Sequence, residues 1–406
     1  MSLDVMRGIS LMGILFMNAL GVHYFTVFDA PFQVYKDPWS QFLYKLNLVF
    51  IQNSFYPIFA FLFGVGLAIM FTNMKKKGMN PGIVLYRRVL AMLGFGLIHG
   101  YFLYNGDILH TYATLGLVVI PFLFIHRRYA LMISIGLLLL NFLLYVSSLF
   151  NEQATKLIPF NRNPHTTEIL QSGHILEIIK WNMNEFNHVN TVLSLGNFFA
   201  GILTVFPFIM LGTWAYRFGL FDKMRRHLKV ISVISVMAIV IGIFIKMQSF
   251  DVIGSAIAPQ IVFVGGTFMA IGYFCLVTLL CQFPKSAKAL NPMVAVGKLG
   301  FTVYITQSVI LFFAFYILRL YGTMTISQVY LLIIGVIILQ IVACNIYMKF
   351  YKMGPLEWLW RKITYLKQTQ KRKWDAHEKA LFIFSALYVC HGFRFDCNET
   401  RIQYVI

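Results

Sequence analysis

The apolar residues of this chain fall into blocks close to 20 residues long, and lysine and arginine crowd into every second connection between them. About 20 consecutive apolar residues is the length at which an α-helix crosses the hydrocarbon layer of a bilayer. In lipid, only helices and closed barrels satisfy their own backbone. Ten blocks can be counted, near residues 5–27, 44–73, 85–104, 107–125, 129–149, 191–216, 228–248, 256–282, 297–320 and 326–352. The expected fold class is all-α: a polytopic helical membrane protein with about ten transmembrane helices. Composition agrees, with 12% of residues charged and 59% hydrophobic, where a soluble domain carries about a quarter charged.

Loop charges set an orientation. Lys75, Lys76, Lys77, Arg87 and Arg88 flank the second connection, and Arg127 and Arg128 the fourth. Arg217, Lys223, Arg225, Arg226 and Lys229 mark the sixth, and Lys285, Lys288 and Lys298 the eighth. The intervening loops carry few cations, among them Lys36, Lys156, Lys246 and Arg319. Basic loops stay on the cytoplasmic side. This places both termini in the cytoplasm and residues 150–190 outside. The expected division is a transmembrane domain over 1–352 and a basic amphipathic cytoplasmic tail over 353–406. The net charge of +19 is thus a topology signal and an attraction to membrane lipid, with no nucleic acid expected as partner. The expected location is the bacterial plasma (inner) membrane, as a multi-pass protein.

Metal chemistry finds little support. Cys275, Cys281, Cys344, Cys390 and Cys397 show no ligand spacing, and a disulfide does not suit a cytoplasmic tail. In 150–190, Glu152, Glu168, Glu177 and Glu185 alternate irregularly with His165, His174 and His188, which reads as a solvated cap with one interfacial helix. No metal is expected. In the tail, Trp358, Trp360 and Arg361 suit the headgroup layer. The run 379–395 is too short to span.

Polar residues inside apolar blocks are the candidates for function, because an ionisable group at membrane depth is costly and faces a protein interior or a wet cavity. His99 lies about a dozen residues past Arg87 and Arg88, hence beyond mid-membrane, and Asp107 opens the next block after a short turn. A carboxylate beside an imidazole orients it and fixes its tautomer, as a general base requires. His110, one helical turn after Asp107, shares its face. A purely structural His–Asp pair, or Asp107 as an N-cap, accounts for the same pattern. On the first block Arg7 sits at the cytoplasmic end, suited to a phosphate or to snorkelling. Asn18 lies deeper, where it needs a hydrogen-bond partner. Tyr304 and Gln307 share a face of the ninth block, with Thr302 and Thr306 as a second polar pair, lining a cavity or pinning helices together. Gly64 and Gly66 read as close helix packing rather than a phosphate loop, having no strand and turn around them.

Several segments together resemble the YeiB-like family of bacterial membrane proteins. These are Leu3-Asp4-Val5-Met6-Arg7-Gly8 with Asn18, Phe61-Leu62-Phe63-Gly64-Val65-Gly66, Gly106-Asp107-Ile108-Leu109, the stretch 297–308, and Gly354-Pro355-Leu356-Glu357-Trp358-Leu359-Trp360. The family is similar to a wider group of membrane acyltransferases, which includes bacterial O-acyltransferases and heparan-α-glucosaminide N-acetyltransferase. The O-acyltransferases carry Arg, ten residues, then His on the first helix; here Asn18 follows Arg7 at that spacing. The aminosugar type has a His eleven positions after an Asn; here that position is Asp29.

The resemblance implies transfer of an acyl group, acetyl foremost, from cytoplasmic acyl-CoA to a hydroxyl or amine of a small-molecule, glycan or lipid acceptor. Neither family position of the catalytic His holds a His here, so the role is assigned from position in the chain to His99, with Asp107 orienting it and Asn18 as the third catalytic residue. Arg7, Arg87, Arg88, His110, Tyr304 and Gln307 would bind donor and substrate, with Asn18 or Gln307 serving the oxyanion. A homodimer is compatible with this. The alternatives are a small-molecule transporter or exporter with a protonatable His/Asp site, and a structural membrane protein whose buried polar groups only pack helices.

Overall fold

The computed structural model describes residues 2–23, 36–156, 164–190 and 195–365. Over these it is helical, without a strand. In chain order the helices are α1 (Ser2–His23), α2 (Pro38–Phe50), α3 (Tyr56–Lys76), α4 (Pro81–Phe102), α5 (Leu109–Phe122), α6 (Arg127–Leu149) and α7 (Glu152–Thr155). There follow α8 (Pro164–Gln171), α9 (Ile175–Asn190), α10 (Leu195–Thr204), α11 (Phe206–Phe218), α12 (Leu220–Arg226), α13 (Leu228–Met247) and α14 (Ala258–Leu280). The last are α15 (Pro284–Leu290), α16 (Pro292–Lys298), α17 (Gly300–Phe312), α18 (Ile326–Phe350) and α19 (Pro355–Thr364). Asp29, Cys390, Cys397 and the run 379–395 lie outside the described residues.

Among the described residues, eight helices are long and apolar enough to cross a membrane, and a ninth span forms if α10 and α11 count as one. The remaining expected span, the fourth, is α5, which is apolar but only 14 residues long. At 1.5 Å per residue it covers about 21 Å, less than the hydrocarbon layer. Asp107 lies just before it and His110 in its first turn, where the His110 ring meets Phe186 of α9, and α9 packs on α4.

Five expectations need correction. The block 44–73 is not one helix: α2 ends at Phe50 and α3 begins at Tyr56, with Asn53 between them at φ 56°. Breaking a helix inside the bundle frees carbonyls that need donors. Lys246 supplies them, its Nζ donating to the Val49 and Gln52 carbonyls and, at 2.7 Å, to the Ser54 hydroxyl. Lys246 is thus fully buried at the end of α13, not a loop charge. The block 191–216 bends by 43° between Thr204 and Phe206, just ahead of Pro207, which has no N–H to continue the ladder.

The segment 150–190 is no mere solvated cap, because Leu170, Ile178, Trp181, Asn182 and Phe186 are buried in the bundle. Of the expected tail, residues 353–365 also dock on it. Pro355–Thr364 packs on α4 and α17. Glu357 there caps α17, accepting from the Phe301 and Thr302 backbone N–H groups at 2.8 and 2.9 Å and from the Thr302 hydroxyl at 2.6 Å.

Candidate functional site

The centre of the site is one buried carboxylate, Asp107, in the turn between α4 and α5. His99 Nδ1 lies 2.7 Å from Oδ1, and the Tyr304 hydroxyl donates to the same oxygen at 3.3 Å. Oδ2 accepts the His110 backbone N–H at 2.7 Å and lies 3.1 Å from His110 Nδ1. The N-cap of α5 is Ile108, but Asp107, one residue earlier, still accepts a first-turn N–H while partnering an imidazole, so both roles its sequence left open meet in one side chain. With Nδ1–H given to a carboxylate, His99 keeps its unshared pair on Nε2. That nitrogen is buried and has no hydrogen-bond partner among the described residues.

Small residues make the approach of these elements possible. Gly96 and Gly100 stand one turn apart on α4, around His99. A Cβ at Gly96 would run into the His110 backbone, and one at Gly100 into the Phe186 ring. The turn is then pinned from α9. Asn182 Nδ2 donates to the Gly100 and Tyr101 carbonyls at 2.8 and 2.9 Å, and its Oδ1 accepts from Asn105 N at 2.9 Å. Asn182 went unread in the sequence. Ile178, Asn182 and Phe186 recur at four-residue spacing, and that buried stripe was its only signal.

A cavity of about 540 Å³ approaches this cluster from the opposite side of Tyr304, a volume ordinary for a ligand pocket. Arg7, Arg88, Lys298, Lys352 and Arg361 line it together with Phe59, Phe63, Tyr112, Phe301 and Tyr304. Arg7 Nη1 donates to Asp4 at 3.1 Å and to the Gly297 carbonyl at 3.2 Å. The Arg88 guanidinium lies 3.7 Å from the centre of the Trp360 ring, and Trp360 Nε1 donates to the Arg88 carbonyl at 2.8 Å. Glu357 is the carboxylate in the lining, and its oxygens already cap α17.

The expected site residues separate accordingly. His99, Asp107, His110 and Tyr304 come together, and Arg7 and Arg88 line the cavity with Tyr304. Arg87 is exposed and outside the lining. Asn18 is half-buried on α1, and neither it nor His99 lines the cavity expected to hold both. Gln307 Nε2 donates to Gln340 Oε1 at 3.0 Å, and Gln340 donates to Thr306 at 3.1 Å, so this polar set ties α17 to α18.

Gly64 and Gly66 prove different in kind. A Cβ at Gly64 would collide with the Ile209 carbonyl of α11, as close packing requires, whereas Gly66 has nothing within 4 Å and faces the cavity. Gly64→Leu is therefore expected to unfold the detergent-solubilised protein at markedly lower temperature, by the overpacking cost of about 1–3 kcal/mol or more. Gly66→Leu should leave the unfolding temperature nearly unchanged. Equal effects in scanning fluorimetry would contradict this assignment.

With this geometry in place, similarity to known proteins adds its weight. Residues 215–367 match a family model described as "Protein of unknown function (DUF418)". The chain is 29% identical over 382 residues to "Uncharacterized protein YxaH" of Bacillus subtilis (strain 168), covering 90% of this chain and 94% of that one. It is 26% identical over 384 residues to an "Uncharacterized 39.9 kDa protein in amylase 3'region" of Bacillus acidopullulyticus, over 90% and 93% of the two chains. To "Uncharacterized protein YeiB" of Escherichia coli (strain K12) it is 24% identical over 393 residues, 89% of this chain and 95% of the other. These relatives support the YeiB-like resemblance along nearly the whole chain, and the family match takes in α17 and the Glu357–Trp360 turn of the cavity wall.

Proposed function

We infer that this protein is a membrane-embedded acyltransferase that moves an acyl group, acetyl in the simplest case, from cytoplasmic acyl-CoA to a hydroxyl or amine acceptor at or across a bacterial inner membrane. One observation carries the reading: the cavity joins a set of cations to Tyr304, whose hydroxyl is bonded to the buried Asp107 of the His99 pair. Arg7, Arg88, Lys298, Lys352 and Arg361 suit the donor's phosphates. The aromatic walls suit an uncharged pantetheine arm. Arg88 and His99 are eleven residues apart on α4, about 16 Å of helix rise, a length that an extended pantetheine arm bridges.

In this scheme the thioester arrives at the Tyr304 wall, and the ring swings aside to open His99 Nε2. The acceptor's oxygen or nitrogen bonds to the thioester carbonyl carbon as its proton passes to Nε2, while Asp107 holds the Nδ1–H. Collapse of the tetrahedral intermediate breaks the C–S bond. The imidazolium returns the proton to the leaving sulfur, giving CoA and the acylated acceptor. When the ring swings aside, the Tyr304 hydroxyl leaves Asp107 and is free to donate to the developing oxyanion, whereas Gln307 stays tied to Gln340. Radiolabelled acetyl-CoA supplied to proteoliposomes made with bacterial lipid and glycan extract should pass its label to an acceptor in the wild type. Retention of all label in CoA or free acetate would overturn the reading.

A second reading, a small-molecule transporter with a protonatable His/Asp site, draws on the bent span α10–α11. A Cβ at Gly201 on that span would lie 3.7 Å from the Thr111 methyl, next to His110, and discontinuous helices line substrate sites in transporters. It predicts flux of a solute across proteoliposomes without label transfer.

A further inference from the structure

Beside the cavity runs a second concavity, a groove of about 660 Å³ between the end of α3 and the face of α19. Its walls are Met74, Lys77 and Met79 on one side and Met353, Trp358, Arg361, Lys362 and Tyr365 on the other. Three of these side chains are cationic and none is acidic, so the groove carries an uncompensated positive charge. Three are methionines, which give an apolar wall able to adapt to flexible chains. Trp358 is 56% exposed, with Lys362 Nζ 5.1 Å from its ring centre, and Arg361 lies 5.9 Å from the Tyr365 ring. The groove sits where two long apolar helices end, α3 at Lys76 and α18 at Phe350. The ends of spanning helices meet the headgroup layer, where Trp and Tyr concentrate.

We propose that this groove is a binding site for an anionic glycerophospholipid. Its phosphodiester lies between Lys77, Arg361 and Lys362, and the upper parts of its acyl chains lie against Met74, Met79 and Met353. Charge selects the lipid class: a zwitterionic headgroup brings its own ammonium toward the three cations, whereas an anionic one leaves a net negative charge among them. The methionine wall favours a lipid over a soluble nucleotide, which has no apolar chain to place there. Met353, Arg361 and Tyr365 line the neighbouring cavity as well, whereas Lys77 and Lys362 belong to the groove alone, so the effect of those two lysines reports the lipid site separately from acyl-CoA binding.

The full-length protein, purified in detergent and titrated with dioleoylphosphatidylglycerol or dioleoylphosphatidylcholine, reports this by native mass spectrometry. The wild type should retain phosphatidylglycerol roughly tenfold more tightly than phosphatidylcholine. The triple variant Lys77→Gln, Arg361→Gln, Lys362→Gln should fall to the phosphatidylcholine level, while Arg225→Gln with Arg226→Gln, on a basic helix outside the groove lining, should keep the preference. Should the triple variant not fold, Lys77→Gln and Lys362→Gln, both exposed, are read singly and should each lose severalfold. Equal retention of the two lipids by the wild type, or an unchanged preference in the groove variants, would overturn the site. Binding of free CoA that is weakened by Lys77→Gln and Lys362→Gln, the two cations of the groove alone, would reassign the groove to a nucleotide.

Discussion

Asp107→Ala is expected to be the most destabilising single substitution in the site, at about 3–5 kcal/mol. One side chain receives the His110 backbone N–H and the Tyr304 hydroxyl and meets both imidazoles, with distances from 2.7 to 3.3 Å. Removing it strands the polar groups that meet it, and His99 and His110 are themselves buried. Each stranded donor costs about 1–3 kcal/mol. Asp107→Asn keeps one acceptor oxygen but turns an amide toward a donor, so it should fall between wild type and alanine. Thermal unfolding of the detergent-solubilised variants checks the order. An alanine variant that melts with the wild type would mean that the cluster contributes nothing to folding.

His99→Asn is expected to have the largest effect on transfer, a loss on the order of 10²–10⁴. Asn retains an N–H where His99 offers Nδ1, so the bond to Asp107 and the fold are preserved, but it has no basic nitrogen in place of Nε2. The role removed belongs to the transition state, so acetyl-CoA binding should stay within about twofold. Arg88→Ala should do the reverse, weakening donor binding about tenfold or more, since it removes a charge-assisted contact and the guanidinium stacked on Trp360. Turnover and titration calorimetry on the two variants separate these effects. A His99→Asn variant with full turnover would remove His99 from the chemistry.

Much of the fold was legible because bilayer length and loop charge act on whole segments. Where the sequence misled, a local device had replaced the average rule. Lys246 looked like a loop cation and is instead the buried donor that lets α2 and α3 part. Gly64 and Gly66 looked alike, but helical geometry turns positions two residues apart to different sides, one onto Ile209 and one into the cavity. In the site, the His99–Asp107 pair was readable because a turn of a few residues forces neighbouring helix ends together. Tyr304 and Glu357 come from segments nearly 200 and 250 residues away from that turn, and spacing carries no information about such contacts. Asn18 seemed apt by its spacing from Arg7, yet α1 leaves it out of the cavity lining and out of the bonds to Asp107.

The central claim is that the cavity between Arg88 and Tyr304 holds the acyl donor, and titration of the purified protein with acetyl-CoA, wild type against Gly66→Phe, tests it most directly. Gly66 has free space beyond it and lines that cavity, so a phenyl ring there fills the donor's path without touching the helix contacts. The account predicts saturable binding to the wild type and at least tenfold weaker binding to a Gly66→Phe protein that melts normally. No binding to the wild type, or equal binding to both proteins, would contradict it.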